Sequence, residues 1–221
     1  GVLSVVATPI GNLEDMTYRA VRILSETDYI LCEDTRVTGK LCQHYNIDTR
    51  LKRYDAHASE RVHEEVLNDL KEGKKIALVS DAGTPGVSDP GVLLVGRARA
   101  AGARIEAIPG PSAVTAAFSI AGITGNQFAF LGFVPQKKGR QTFFTELQNY
   151  DRPVIFFEST HRILKTLESL VEYQAYAKVY LGRELTKLHE EMLVGTPAEL
   201  LEKLQSEPVK QKGEFVLIFS K

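Results

Sequence analysis

The chain has 221 residues, of which 43% are hydrophobic and 25% are charged, and its formal net charge is -1. A chain of this size and composition buries a sizeable core, so we expect a soluble globular protein of one large domain or of two domains. No apolar run approaches the roughly 18 residues of a membrane span, and no signal sequence is recognisable at the start, so the cytoplasm is the expected location and a membrane partner is not expected. The nearly balanced charge neither indicates nor excludes a nucleic-acid partner, because a basic surface can be local.

The first half of the chain is predicted to alternate strands and helices. Apolar runs and helical periodicity favour strand 3–8, helix 16–26, strand 29–33, helix 59–73, strand 76–80, helix 90–101 and strand 104–109. The apolar residues of helix 59–73 fall on one stripe, which predicts one buried face and an end at a glycine. They are Val62, Val66, Leu67 and Leu70, and the glycine is Gly73. Repeated strand-helix-strand units are typical of a mostly parallel sheet.

The second half of the chain is also predicted to alternate helices and strands. The pattern favours helix 112–121, strand 128–133, helix 141–149, strand 153–158, helix 162–172, strand 178–182, helix 197–205 and strand 214–220. Proline and glycine punctuate the chain between Pro109 and Gly125, where a domain boundary is therefore expected. The fold class predicted from the pattern is two α/β domains, with residues 1–112 and 113–221 as their extents.

The stretch "SDAGTPGVSDPG", residues 80–91, follows a predicted buried strand and leads into a helix that Asp89 and Pro90 are expected to open. It contains no lysine or arginine, which argues against a polyphosphate ligand. Asp81 can accept hydrogen bonds from a ribose diol or an ammonium group, while Gly83 and Gly86 allow close approach of the backbone. The stretch therefore predicts a nucleoside-like ligand, and the alternative is a tight structural turn whose aspartates cap backbone groups.

Three further stretches also follow predicted strands. They are "ATPIGN" at residues 7–12, "CEDTRVTGK" at 32–40 and "PGPSA" at 109–113. The first is not the G-x-G-x-x-G of a dinucleotide site. The last turns into a helix whose first amides, near Ser112 and Ala113, can bind a carboxylate or an adenine nitrogen. Each stretch alone is a turn or a cap, but their shared place at the carboxyl ends of strands favours a binding site.

Six motifs together resemble a known family. "ATPIGNLEDMTYRA", "CEDTRVTGKL", "VSDAGTPGVSDPG", "PGPSA", "ESTHR" and "GRELTKLHEE" occur in the order and approximate spacing of the bacterial small-subunit ribosomal RNA (cytidine-2′-O)-methyltransferases, in the tetrapyrrole methylase superfamily. The resemblance covers residues 3–220. It implies two α/β domains of the tetrapyrrole methylase type, S-adenosyl-L-methionine in the interdomain cleft, a homodimer, and 2′-O-methylation of a cytidine ribose in 16S ribosomal RNA of the small subunit.

The resemblance also implies a set of cofactor-binding positions. These are Pro9, Ile10, Gly11, Asp81, Ala82, Gly83, Thr84, Ser112, Ala113, Glu158 and Glu184. The sequence departs from the family where a His-x-His-Asn stretch is common: "YDAHASE" keeps His57 but has Asp55 and Ala58 at the flanking positions. Many members also carry a small extra domain after the closing strand, and this chain ends at Lys221.

The implied reaction is an in-line displacement at the methyl carbon, in which alignment of the reactants supplies most of the catalysis. Asp34 and His57 are the candidates for the base that takes the hydroxyl proton, and Arg36 is the candidate phosphate anchor. The alternative is that Asp34 and Arg36 pair with each other and that His57 caps the following helix. No metal is required, and Cys32 and Cys42 lack metal-ligand or CxxC spacing, so both are interpreted as free thiols.

Contact with RNA is expected from local positive charge. The candidates are "TRLKR" at residues 49–53, "QKKGR" at 136–140 with Phe130 and Phe133 before it, and the pair His161 and Arg162. Lysine and arginine contact phosphate, and an unstacked base rests on an aromatic ring. The alternative is that these runs are solvated loops.

Two other functions stay open. One is a methyltransferase of the same superfamily that acts on a tetrapyrrole or on a protein, since the motifs for cofactor binding allow it. The other is a nucleoside-binding or assembly module without catalysis, for which the altered "YDAHASE" is the one hint.

Overall fold

The computed structural model describes residues 1–55, 58–88 and 91–221. Contacts between Cα atoms divide the chain into two compact units, Gly1–Ser112 and Ala113–Lys221. Each unit is built on one five-stranded sheet with helices. The expected α/β class with two sheets is therefore confirmed. The helix opening predicted at Asp89 and Pro90, and the candidate base His57, lie outside the described residues.

The first unit contains a parallel sheet. Its elements are β1 (Val2–Val6), α1 (Tyr18–Glu26), β2 (Tyr29–Cys32), α2 (Thr35–His44), β3 (Leu51–Arg53), α3 (Glu60–Lys71), β4 (Lys75–Leu78), α4 (Gly91–Ala100) and β5 (Arg104–Ile108). The strands lie in the order β3-β2-β4-β1-β5, and each pairing among the described residues is parallel. Because the strands are parallel, the loops that follow them share one edge of the sheet.

Both faces of this sheet are covered, which explains why its strands are continuous apolar runs. Ile30 packs with residues of α1 and α2, whereas its neighbour Leu31 packs with residues of α3 and α4. The stripe predicted on α3 is confirmed: Val66 and Leu70 are buried and the other two apolar residues are partly buried. Gly73 follows the end of α3 with a φ of +95°, as a glycine at that position allows.

The sequence did not predict two elements of the first unit, α2 and β3. Helix α2 contains Gly39 and two threonines, which weaken the helical signal. Strand β3 has three residues, of which two are basic, and it lies at the sheet edge. Within the segment 49–53, expected to contact RNA, residues 51–53 form this strand.

The second unit contains a mixed sheet. Its elements are α5 (Ala113–Ala121), β6 (Ala129–Phe133), α6 (Arg140–Glu146), β7 (Val154–Glu158), α7 (Ile163–Tyr173), β8 (Lys178–Arg183), β9 (Glu191–Gly195), α8 (Pro197–Ser206) and β10 (Phe215–Ser220). The order is β6-β7-β10-β8-β9. Strands β6 and β7 are parallel, whereas β10 is antiparallel to both its neighbours and β9 is antiparallel to β8. Strand β9 was not predicted, and the mixed pairing differs from the parallel sheet of the first unit.

One large apolar core supports the second sheet. Phe156, Leu181 and Leu217 come from its three central strands and pack with Phe144 of α6 and Leu167 of α7. These five side chains are fully buried. The loops at the strand ends are therefore attached to a rigid base, as a binding site requires.

Two features are absent from the described residues. No helix there combines the length and the apolar character that a membrane crossing requires. No group of three or more His, Cys, Asp or Glu side chains there is placed to hold a metal ion. Cys32 and Cys42 are free and buried.

Candidate functional site

Two strand-end loops of the first unit are joined by their backbones. Thr8, in the loop after β1, and Gly83, in the loop after β4, exchange two backbone hydrogen bonds of 3.0 Å each. The Thr8 hydroxyl also donates to the carbonyl of Ser80, at 3.1 Å. The stretches 7–12 and 80–88, which the sequence analysis selected separately, therefore form one surface.

Two further strand-end loops attach to the same surface. The Asp34 amide, directly after β2, donates a 3.1 Å hydrogen bond to the Asp81 carboxylate. The Thr84 hydroxyl donates to the carbonyl of Pro111, in the loop after β5, at 3.0 Å. The loop after β4 is thus the common partner of the other three, and we call this group of four loops the first-unit edge.

Backbone atoms approach closely at the first-unit edge. Gly83 has a φ of +82°, and a Cβ atom added there lies 3.3 Å from Cγ2 of Ile10. A Cβ atom added at Gly110 lies 3.0 Å from the Cβ of Ala7. A side chain is therefore disfavoured at both positions, and most strongly at Gly83 because of its positive φ. Asp81 and its neighbour Ala82 are exposed beside Gly83.

The loop after β5 leads directly into helix α5. The helix begins at Ala113, and Ser112 precedes it. Both residues are partly exposed. Backbone N–H groups in the first turn of a helix have no intrahelical acceptor, so this turn is suited to binding an anionic or hydrogen-bond-accepting group.

Asp34 and Arg36 pair with each other, which is one of the two alternatives left open by the sequence. The Asp34 carboxylate caps α2 by accepting a 2.8 Å hydrogen bond from the Arg36 amide. It also forms an ion pair of 2.6 Å with the Arg36 guanidinium. Hydrogen bonds from the Arg36 side chain and amide hold the pKa of Asp34 well below its ordinary range. A carboxylate with such a low pKa is a weak proton acceptor, so the geometry does not favour Asp34 as the base.

The Arg36 side chain is 86% exposed despite this ion pair. Asp34 is fixed in turn by its own amide, through the bond to Asp81. The Arg36 guanidinium is thus an exposed cation with a defined orientation beside the first-unit edge. This geometry suits an anchor for a phosphate group.

Glu158, expected from the resemblance to bind the cofactor, points into the second unit instead. Its side chain is fully buried, and its carboxylate is 2.8 Å from Arg162 and 3.8 Å from Arg140. It also accepts hydrogen bonds from the Thr166 hydroxyl, at 2.6 Å, and from the Ser159 amide, at 2.7 Å. Protein groups engage both carboxylate oxygens, and the role of Glu158 in cofactor binding stays a prediction.

Glu184 occupies a different environment, in the turn after β8. Its carboxylate accepts hydrogen bonds from Lys187 and from the amide of Glu214, each of 2.9 Å. Burial acts to raise the pKa of Glu184, but the hydrogen bonds to Lys187 and Glu214 outweigh it, so the pKa is lowered. The carboxylate is only partly buried and is held in one place.

The backbone around Glu184 is strained. Glu184 has a φ of +50° and Thr186 a φ of +69°, values that are rare for residues other than glycine and rarest for β-branched ones. The adjacent loop before β10 contributes Gly213, whose amide donates to the Thr160 hydroxyl at 3.2 Å. Such strain concentrates at functional sites. The sequence analysis did not select Thr160, Thr186 or Gly213, because no local signal indicates a strained β-branched residue.

The basic segments differ in which of their side chains are held in ion pairs and which are exposed. In β3, Lys52 pairs with Glu65 at 2.7 Å, and Arg53 pairs with Asp55 at 2.7 Å. In the second unit, Arg140 and Arg162 form ion pairs with the buried Glu158, and their contact with RNA stays a prediction. The exposed charged or aromatic members are Arg50, Arg53, Phe133, Lys137, Lys138 and His161.

The comparisons with known proteins agree along the whole chain. The family profile "Tetrapyrrole (Corrin/Porphyrin) Methylases" matches residues 2–201. A protein of Thermotoga maritima named "Ribosomal RNA small subunit methyltransferase I" is 42% identical, with 100% of this chain and 98% of that protein covered. A protein of the same name from Xylella fastidiosa is 44% identical, with 99% and 81% covered.

Two solved structures share the fold. Diphthine synthase superposes with a TM-score of 0.73 at 14% identity, covering 100% of this chain and 90% of that one. The methyltransferase CobJ superposes with a TM-score of 0.71 at 20% identity, covering 100% and 94%. At such low identities, these likenesses establish the fold alone.

Proposed function

The chain belongs to the tetrapyrrole methylase family and, within it, to the ribosomal RNA small subunit methyltransferases I, and on that premise we propose that it methylates the 2′-oxygen of a cytidine ribose in 16S ribosomal RNA, with S-adenosyl-L-methionine as methyl donor. The observation that carries this proposal is identity above 40% over almost the entire chain to relatives that share one name. The name of those relatives describes enzymes that methylate small-subunit ribosomal RNA.

The first-unit edge fits the proposed cofactor. Asp81 offers an exposed carboxylate to a ribose diol or an ammonium group, and the Ile10 side chain packs close to Gly83 in the adjoining loop. Pro9, Gly11, Ala82 and Thr84 belong to the same joined loops, and we propose that the amides near Ser112 and Ala113 bind a further polar group of the cofactor. When bound, S-adenosyl-L-methionine supplies a methyl group that its sulfonium makes electrophilic.

In the second unit, we propose Glu184 as the cofactor contact in place of the buried Glu158. Glu184 is partly exposed, it is held by Lys187, and it lies in a strained turn. A strained turn persists only where the surrounding structure holds it, and here the 2.9 Å bond from the Glu214 amide does so. This support is geometric, and it separates the two glutamates that the sequence treated alike.

The reacting hydroxyl needs orientation and a route for its proton. We propose that Arg36, oriented by Asp34, binds a phosphate next to the target ribose and so aligns the 2′-oxygen. Because the pKa of Asp34 is low, the proton acceptor that we propose is His57, which lies outside the described residues.

We propose further that the enzyme works as a homodimer in the cytoplasm, where it meets ribosomal subunits. This follows the family resemblance. Light scattering on the purified protein tests the dimer, which has twice the 24.5 kDa of one chain. A mass of one chain at micromolar concentration contradicts it.

The proposed function is tested by transfer of labelled methyl from S-adenosyl-L-methionine to small ribosomal subunits from a strain that lacks the enzyme. Naked RNA and a porphyrinoid serve as alternative acceptors. We expect label on a cytidine 2′-oxygen in the subunit. Label on the porphyrinoid instead identifies a tetrapyrrole methyltransferase, and cofactor binding by calorimetry without label on any acceptor indicates a binding module.

A further inference from the structure

A short turn in the second unit displays an aromatic ring and two lysines. It spans residues 133–138, between β6 and α6, and we call it the lysine turn. Lys137 and Lys138 are exposed, and within the described parts of the chain neither makes an ion pair. The Phe133 side chain is 54% exposed, yet its ring is held edge-on against Phe157, with centroids 5.3 Å apart. The turn thus combines free positive charge with an accessible aromatic surface.

The lysine turn is held by the buried cluster around Glu158. Arg162 donates from Nη1 to the carbonyl of Val134 at 3.0 Å, and Arg140 donates from Nη1 to the carbonyl of Pro135 at 3.3 Å. Both guanidinium groups are held in place by the Glu158 carboxylate. A buried carboxylate therefore fixes, through two arginines, the backbone from which the lysines project.

This cluster has more positive than negative charge. Two guanidinium groups face one carboxylate, and the Arg140 guanidinium also stacks over the Phe144 ring, with its central carbon 5.1 Å from the centroid. Burial lowers the pKa of Arg140, and the charge of Arg162 lowers it further, against the opposite effect of Glu158. The excess positive charge is carried by two arginines that donate hydrogen bonds to the backbone of the lysine turn.

We propose that the lysine turn is a docking surface for unpaired RNA, with Lys137 and Lys138 on phosphates and Phe133 beneath a base, and that Glu158 is a positioning residue for this surface. The proposal rests on the RNA substrate proposed above. Single-stranded RNA requires this combination, because cations follow its backbone while aromatic rings stack with its bases.

The first test is the double variant Lys137→Glu/Lys138→Glu, measured with intact small subunits. We expect KM for the subunit to rise about tenfold or more, kcat to stay near wild type, and the dissociation constant of S-adenosyl-L-methionine to be unchanged. The slope of log affinity against log salt should fall by about 1.4, at about 0.7 per phosphate on a single strand. The matched control is Lys71→Glu/Lys75→Glu, the same change of charge at two exposed lysines. Lys71 ends α3 and Lys75 begins β4, at the strand ends away from the first-unit edge. This variant should leave KM for the subunit unchanged.

Phe133→Ala tests the stacking contact. Loss of one base-aromatic stack weakens RNA binding about fivefold or more. A KM for the subunit that is unchanged in both Phe133→Ala and the lysine variant overturns the proposal. A KM that rises in the lysine variant alone also overturns it, in favour of a charged partner surface without stacking.

Glu158→Gln separates the positioning role from the cofactor role that the resemblance implied. We expect KM for the subunit to rise while the dissociation constant of S-adenosyl-L-methionine stays near wild type. Weakened cofactor binding in a folded variant contradicts the positioning role. If Glu158→Gln does not fold, the lysine and phenylalanine variants decide the docking surface. Failure of the wild-type enzyme to methylate any RNA is a different outcome, because it removes the proposed function itself.

Discussion

The backbone amide of Asp34 donates a 3.1 Å hydrogen bond to the carboxylate of Asp81, across 47 residues of sequence. The two residues follow β2 and β4, which are neighbours in the parallel sheet. The bond orients the carboxylate proposed to bind the cofactor. It also fixes the start of α2, from which Arg36 projects, so one hydrogen bond links the proposed cofactor loop to the proposed phosphate anchor.

Replacement of Asp34 by asparagine tests its role. Asparagine is as good an N-cap as aspartate, so Asp34→Asn removes the charge and keeps the helix start. We expect kcat at neutral pH to stay within about threefold of wild type, since loss of a general base costs about 10² to 10⁴. KM for the subunit should rise because Arg36 loses its ion pair.

The pH profile of single-turnover methylation provides the control. With its lowered pKa, Asp34 stays ionised from pH 5 to 9 and contributes no change of rate in that range. His57→Ala should lower the rate about a hundredfold and remove the fall in rate at acid pH. Loss of that acid fall in Asp34→Asn instead would restore Asp34 as the base.

Gly83→Ala should weaken cofactor binding. The new Cβ lies 3.3 Å from Cγ2 of Ile10, and the φ of +82° strains any residue other than glycine. The matched control is Gly102→Ala, where φ is +76° and no atom lies within 4 Å of the new Cβ. Each variant should lose about 1 to 2 kcal/mol of stability from the left-handed backbone. Only Gly83→Ala should also lose about tenfold in affinity for S-adenosyl-L-methionine by calorimetry, or about 1.4 kcal/mol; equal affinities contradict the proposed site.

Gly213→Ala should disturb the turn that contains Glu184. The new Cβ lies 2.6 Å from Cγ of Glu184, closer than packed atoms approach. Gly125→Ala is the control, because it has the same φ of +119° and open space around its Cβ. In urea unfolding, Gly213→Ala should reduce the free energy of unfolding by about 1 to 3 kcal/mol more than Gly125→Ala does, because overpacking adds to the backbone strain. If the two variants lose the same free energy of unfolding, the Glu184 side chain moves aside without cost.

Glu184 should make the free energy of unfolding depend on pH in the acid range. Its pKa is lowered in the folded state, so its carboxylate stabilises the fold above the unfolded value near 4.5, and this contribution is lost as pH falls through the folded value. We expect Glu184→Gln to reduce the free energy of unfolding by about 1 kcal/mol at pH 7, and the difference from wild type to shrink toward pH 3. Glu214→Gln, which removes the more exposed partner of Lys187, should have a smaller effect at pH 7. A difference that is independent of pH contradicts the assignment.

The sequence by itself determined the order of most strands and helices, because apolar periodicity and glycine-rich ends are local signals. It also determined that four loops of the first unit share an edge, since parallel strands carry their following loops to the same side. The family followed from six motifs spread along the chain. These inferences need no knowledge of which distant residues meet.

Only the tertiary structure decided how the charged residues of those motifs are used. Glu158 ends β7 and Glu184 follows β8, yet one is buried against Arg162 and the other is held partly exposed by Lys187. The direction of a side chain depends on partners contributed by other elements, such as Arg140 from α6. The antiparallel position of β10 in the sheet likewise depends on pairings between distant segments. Local sequence patterns cannot encode such choices, because the energies that decide them arise only when the distant partners are packed together.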